Sequence, residues 1–230
     1  MPEVYGIEHI VFLIISVVAV AIGIILVKKY IKTEKALRIL TVVMAAVHLA
    51  WLLLNRFSVA FIKEKEALYV IPNTFCGFSS FTLPLAMLLL KKDNFHYHSI
   101  GYLGLLGGVV TILYPDFIGQ NASVFYLPTI SGLMHHVLMV FNVLMLIVTG
   151  QFTPTIKKYH YLPLGLCVVM TVGIAEIDVL HFSGAMEIGS EFIPGTGLTW
   201  AVVGAMFLVL HLIVLGALEF YRRRKNVSVK

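Results

Sequence analysis

Two imidazoles stand side by side at His135 and His136, in the run SGLMHHVLMV, which is otherwise apolar enough to sit in lipid. A thiol, Cys76, lies in the apolar stretch FCGFSSF, and EIDVLH carries Glu176, Asp178 and His181. A deprotonated thiol is a nucleophile, an imidazole is a base near neutral pH, and a carboxylate can hold an imidazole in one tautomer. Together they are the parts of a Cys/His acyl-transfer site. The same residue types also suit zinc. His48, one of His135 and His136, His181, Glu176 and Asp178 would supply ligands for a metal-dependent lipid hydrolase with an open position for water. The spacing favours this less, because there is no HxxH, HExxH or HxxxH pattern and adjacent histidines point about 100° apart on a helix. The acyl-transfer reading needs no metal and no cofactor.

The elements that position these residues follow from composition. With 59% hydrophobic residues and 13% charged ones in 230, and a mean hydropathy of +0.93, the chain lies outside the range of soluble domains. Apolar runs near the ~20 residues that span a hydrocarbon core occur at 9–27, 39–54, 70–90, 99–114, 129–149, 162–180 and 199–219. The fold expected is all-α and polytopic, with seven transmembrane helices forming one domain over residues 1–230. The shortest run, 39–54, can lengthen past Asn55 and Arg56 through Phe57, Val59, Ala60 and Phe61. The first run lacks a basic leader and a small-residue cleavage signature, so it is expected in the mature protein.

Orientation is read from the 17 Lys and Arg. Residues 28–38 carry five, Lys91 and Lys92 two, Lys157 and Lys158 two, and the tail YRRRKNVSVK five. With seven alternating helices these 14 share one side, and only Arg56, Lys63 and Lys65 fall on the other. The bias places the N-terminus outside and the C-terminus in the cytoplasm, as expected for a protein of the cell membrane. The net charge of +5 is then a topology signal that meets anionic lipid. It gives no reason to infer nucleic-acid binding.

Topology converts position into depth. At ~1.5 Å per residue, His135 and His136 lie about 10 Å below the outer face and Cys76 about 9 Å below it. His48, Glu176, Asp178 and His181 fall in or just above the same leaflet. Ionisable groups at this depth face the bundle interior or a water-filled cavity rather than lipid. His9 is expected at the interface, and His211, deeper and apart, as a helix-to-helix hydrogen-bonding group. Cys167 enters from the opposite face about 13 Å away, too far for a disulfide to Cys76, and reads as packing. The glycines of GYLGLLGG, Gly104 and Gly108 among them, predict a close helix contact. NAS at 121–123 is a glycosylation sequon on an outer loop.

At these residues the chain resembles a known family. YVIPNTFCGFSSFTLPLAMLLL looks like the third helix of the YwaF-like integral membrane proteins, in which a proline precedes a cysteine by four residues, here Pro72 and Cys76. The resemblance continues through LYPD at 113–116 and through His136, eighteen residues before Pro154. Eukaryotic relatives include a membrane acyltransferase thought to use that Cys and His, so the resemblance implies Cys76 as nucleophile and His136 as base. Membrane lipids are the expected substrate. Glu176 or Asp178 would orient the imidazole, Asn73, Thr74 and Ser79 are donors beside the thiol, and His48 and His181 complete the substrate-holding layer. A third reading needs no chemistry: a transporter or receptor whose polar layer binds a small ligand. Inverted repeats would favour it and none is found, although Pro72, Gly77 and Pro84 could loosen the third run.

Overall fold

The computed structural model describes residues 5–62, 67–115, 123–189, 191 and 195–227. Its helices are α1 (Ile7–Tyr30), α2 (Glu34–Ile62), α3 (Phe75–Leu89), the single turn α4 (Phe95–His98), α5 (Ile100–Leu113), α6 (Leu127–Val148), α7 (Tyr161–Leu180) and α8 (Trp200–Val227). Short 3-10 turns occupy Ala67–Val70, Ile156–Lys158 and Ala185–Glu187. Among the described residues there is no strand, only an isolated bridge between Glu191 and Thr199.

Each of the seven apolar runs contains a helix. Five of them, α1, α2, α6, α7 and α8, are long and apolar enough to cross a membrane. α3 and α5 have 15 and 14 residues, only about 22 and 21 Å of rise against a hydrocarbon core of about 30 Å. α2 runs to Ile62, so Asn55 and Arg56 lie inside a helix, along the extension that Phe57 to Phe61 allow. The third run departs from expectation. Helix was expected from residue 70, but α3 begins at Phe75. Proline disfavours helical backbone in the residue before it, and two residues after Pro72 the Thr74 hydroxyl caps α3 by accepting from the Gly77 amide at 3.1 Å. Cys76 therefore sits in the first turn of its helix instead of deep within one.

α6 is the central helix. It packs against α1, α2, α3 and α5, and most of its spanning stretch is buried. The expected close contact of α5 is present: a methyl at Gly104 would lie 3.1 Å from the Met139 sulfur, and one at Gly108 would lie 2.9 Å from Val140. Small residues here let two backbones approach where a side chain would hold them apart. His9, in the first turn of α1, is buried, its Nε2 2.9 Å from the Ile112 carbonyl and its Nδ1 accepting from the Tyr5 amide. This ties the start of α1 to the end of α5. His211 was expected to bond across helices, yet neither ring nitrogen has a partner among the described residues; its ring packs 4.5 Å from that of Tyr102. Cys167 is exposed on the flank of the bundle, not packed inside, and neither cysteine is in a disulfide.

The basic segments gather at one end of the bundle. The loop after α3 meets the loop after α6 where Asp93 donates its amide to the Gln151 carbonyl at 2.7 Å and accepts from Lys158 Nζ at 2.6 Å. Its other carboxylate oxygen lies 2.7 Å from His98 Nε2 and accepts the Thr153 amide at 3.1 Å. Arg222 of α8 donates to the Pro154 carbonyl at 2.8 Å. Asp93 takes a left-handed backbone, φ 54°, a conformation that aspartate tolerates better than most side chains. Lys63, Lys65, Asp116 of LYPD and the first two residues of the NAS sequon lie outside the described residues.

Candidate functional site

At the other end of the bundle, away from these loops, is a cavity of about 470 Å³. The volume lies within the range of small-molecule sites. Asn55, Arg56 and Val59 of α2, Asn73 and Thr74 before α3, Cys76 in its first turn, and Gly107 and Thr111 of α5 line one part of it. His135 and His136 of α6 line another, and apolar residues of α7 and α8, among them Leu166, Met170, Val203 and Phe207, close the remainder. The two histidines were expected to diverge, with one outside any shared site. Both reach this cavity, because their rings lean together with centroids 4.1 Å apart.

Each ring is held differently. His136 Nδ1 lies 2.6 Å from the Gly132 carbonyl, one turn back on α6. A carbonyl only accepts, so Nδ1 carries the proton and the lone pair of the neutral ring is on Nε2. That Nε2 is buried and has no hydrogen-bond partner among the described residues. His135 Nδ1 lies 3.0 Å from the Ser80 hydroxyl, which also reaches the Met139 sulfur at 3.4 Å. Ser80 donates to that sulfur and so accepts from His135 Nδ1, which leaves the lone pair of each ring on Nε2 and both rings on the cavity wall.

Cys76 is half-buried. Its sulfur lies 3.8 Å from the Thr111 hydroxyl, and a methyl at Gly107 would come within 3.2 Å of it. The first turn of a helix carries partly positive backbone amides, a setting that favours thiolate over thiol. Arg56 brings a full positive charge to the same cavity, near enough to interact electrostatically with Cys76 and with both histidines. Asn55 fixes the guanidinium: its amide donates to the Pro128 carbonyl at 3.0 Å and the Ser131 hydroxyl at 3.2 Å, which leaves its Oδ1 to accept from Arg56 Nη2 at 2.9 Å.

The remaining candidates stand apart from the cavity wall. His48 is buried one layer behind it, its Nδ1 3.2 Å from the Asn142 amide. Ser79 is also buried, with no partner for its hydroxyl among the described residues. Near the far end of α7, Glu176 is buried, Asp178 is exposed, and His181 is exposed with left-handed backbone. None of the three lines the cavity. The orienting role expected of a carboxylate is occupied, for His136, by the Gly132 carbonyl. Among the described residues no three His, Cys, Asp or Glu side chains come together as a metal site would require.

Sequence reasoning did not single out Arg56, Asn55, Ser80 or Thr111 as parts of the site. Arg56 did carry a signal: a cation adjoining an apolar run that could extend beyond it. No curated protein and no solved structure matches the chain. The model of the TMEM164 family, a transmembrane protein family, matches residues 4–217, almost the whole chain; the protein belongs to that family.

Proposed function

We propose that this protein is a membrane-embedded enzyme that transfers or hydrolyses the acyl chains of lipids, with Cys76 as nucleophile and His136 as base. The observation that supports it most is the unbonded Nε2 of His136, a residue that lines one cavity with a thiol at a helix N-terminus. The resemblance to YwaF-like proteins and their acyltransferase relatives, carried by Pro72, Cys76 and His136, points the same way.

The reaction runs through two half-steps. His136 Nε2 takes the thiol proton as sulfur attacks an ester carbonyl carbon, forming a C–S bond and a tetrahedral oxyanion. Collapse breaks the C–O bond, and the departing lyso-lipid alkoxide receives the proton from His136. The acyl thioester is then attacked by an acceptor hydroxyl or water, whose proton His136 removes and returns to the sulfur. The Gly132 bond keeps Nε2 the basic nitrogen throughout.

The substrate route rests on orientation. On this reading all seven long helices span, with the N-terminus outside, because the 14 basic residues occupy segments of which the structure joins three at one end. The cavity at the other end then opens toward the outer leaflet of the cell membrane. Single-cysteine labelling tests this: Gln120→Cys should react from outside and Lys157→Cys only from inside, and the reverse pattern rejects the orientation.

The activity itself is tested by incubating purified protein in vesicles with phospholipid and lyso-lipid. Cys76→Ala and His136→Ala should each abolish turnover, with the double variant little worse, because residues acting as a unit are not additive. Chelators should change nothing. Full activity in Cys76→Ala together with loss on chelation would overturn the thiol mechanism in favour of zinc.

A further inference from the structure

Arg56 has no task in the two half-steps above, yet its placement is costly. A guanidinium stays charged at any ordinary pH, and Arg56 is half-buried, so part of its hydration is lost at a cost that a counter-charge would offset. The two ion pairs among the described residues both belong to Asp93, at the opposite end of the bundle. Arg56 has one neutral acceptor, Asn55 Oδ1, and its Nε is buried with none among the described residues. Asn55 is itself tied to Pro128 and Ser131. The guanidinium is thus held in place by α2 and α6 with part of its donor fork unused, on the wall of a cavity whose α7 and α8 side is lined by Leu166, Met170, Val203 and Phe207.

A site of this form selects an anion with an apolar tail. From the chemistry of a planar, bidentate cation beside a hydrophobic slot in a membrane-embedded chain, we infer that Arg56 binds the phosphate of a glycerophospholipid while Leu166, Met170, Val203 and Phe207 receive an acyl chain. This rests on the acyl-transfer reading only for the fate of the ester. It goes further in assigning the residue that would distinguish phosphate-bearing lipids from neutral diacylglycerols. Arg56 is then a specificity-determining residue, and the cavity wall it shares with Cys76 brings the headgroup to the same chamber as the nucleophile.

Binding, which needs no turnover, separates this inference from the reaction. Full-length Cys76→Ala protein in detergent is titrated with brominated dihexanoyl phosphatidylglycerol, with brominated dihexanoylglycerol, and with inorganic phosphate. Quenching of Trp200, which lines the cavity, reports occupancy, with Trp51 replaced by Phe to remove the second tryptophan; inorganic phosphate is followed by its displacement of the brominated phospholipid. The phospholipid should bind at least tenfold more tightly than the diacylglycerol, as a charge-assisted pair predicts. Arg56→Gln should abolish that preference by weakening only the phospholipid, and Arg56→Lys, which keeps charge without the fork, should retain part of it. Equal affinity for the two lipids in the parent overturns the inference without needing any Arg56 variant to fold. So does a preference that survives Arg56→Gln. Inorganic phosphate displacing the probe at the phospholipid's own concentration would mean a free-anion site and would reject the lipid headgroup. If the phospholipid preference depends on Arg56 while unmodified protein turns over no lipid, the reaction fails and this binding assignment stands.

Discussion

The Asp93 network at one end of the bundle and the cavity residues at the other hold polar groups in opposite states. At the basic end, Asp93 is fully engaged: Lys158, His98 and the Thr153 amide all reach its carboxylate. At the cavity, His136 Nε2 and Arg56 Nε are buried without partners among the described residues, as is His96 Nε2 beside the Asp93 network. Folding alone explains the first arrangement, because a satisfied network joins two loops at no cost in stranded donors. It does not explain the second, since unmade hydrogen bonds in a dry interior are each destabilising by about 1–3 kcal/mol. Where such groups belong to residues that line a cavity, as His136 and Arg56 do, they are available to something other than the fold.

The contrast breaks most visibly in activity. Replacing the His136 base by Phe should lower lipid turnover at least about 10²-fold, the usual contribution of a positioned proton acceptor. Asp93→Asn should leave turnover within about twofold, since no reacting atom lies near it. A steady-state assay in vesicles reads both, and a large loss in Asp93→Asn with none in His136→Phe would invert the comparison.

Stability should answer in the opposite order. Asp93→Ala removes three hydrogen bonds from a carboxylate still 38% exposed, which after screening by solvent is about 1–2 kcal/mol, or a fall in Tm of a few degrees. His136→Phe exchanges one backbone bond and one unpaired nitrogen for apolar surface and should shift Tm less. Differential scanning fluorimetry in detergent compares them.

Acid should weaken the basic end. Partial burial pushes the Asp93 carboxyl up, but hydrogen bonds from Lys158, the Thr153 amide and His98 outweigh it and hold the group below its ordinary 3.8. Burial holds His98 below its ordinary 6.5, against the pull of Asp93. In the unfolded chain both groups bind protons more readily, so both contribute stability that is lost as pH falls. His98 gives it up below about 6.5, and Asp93 only below 3.8 as pH drops through its depressed value. Tm measured between pH 7.5 and 4 should therefore decline in wild type, and decline less in His98→Gln.

The smallest effect concerns clearance at the thiol. Gly107→Ala places a methyl 3.2 Å from the Cys76 sulfur, so the neighbours must give by a few tenths of an ångström. Turnover should drop several-fold with Tm nearly unchanged.

How far the sequence reaches differs between these ends as well. Hydropathy located every long helix, because a period of twenty apolar residues has few competing explanations. It misplaced the start of α3, where the Thr74 cap and Pro72 outweigh the hydrophobicity of residues 70–74. Depth arithmetic put Cys76, His135 and His136 in one layer, and they share a cavity. It also drew in Glu176, Asp178 and His181, because depth fixes height along the membrane normal and says nothing about which helices adjoin. Arg56 was counted as a loop charge for a related reason. A cation at the edge of an apolar run is indistinguishable in sequence from one that a longer helix carries inward, and only the packing of α2 on α6 decides between them.

The shortness of α3 and α5 has a consequence for the bilayer. If both span, as proposed, each falls several ångströms short of an average hydrocarbon thickness, and the irregular backbone at 71–74 makes up the difference beside the cavity rather than against lipid tails. Membranes answer such a deficit by thinning locally. A dimple above the cavity would lower the leaflet surface toward Cys76, so that a lipid's ester group descends a shorter way out of its neighbours before reaching the sulfur. The protein would then be tuned to the thickness of the membrane that holds it, working faster in thin bilayers than in thick ones of the same headgroup.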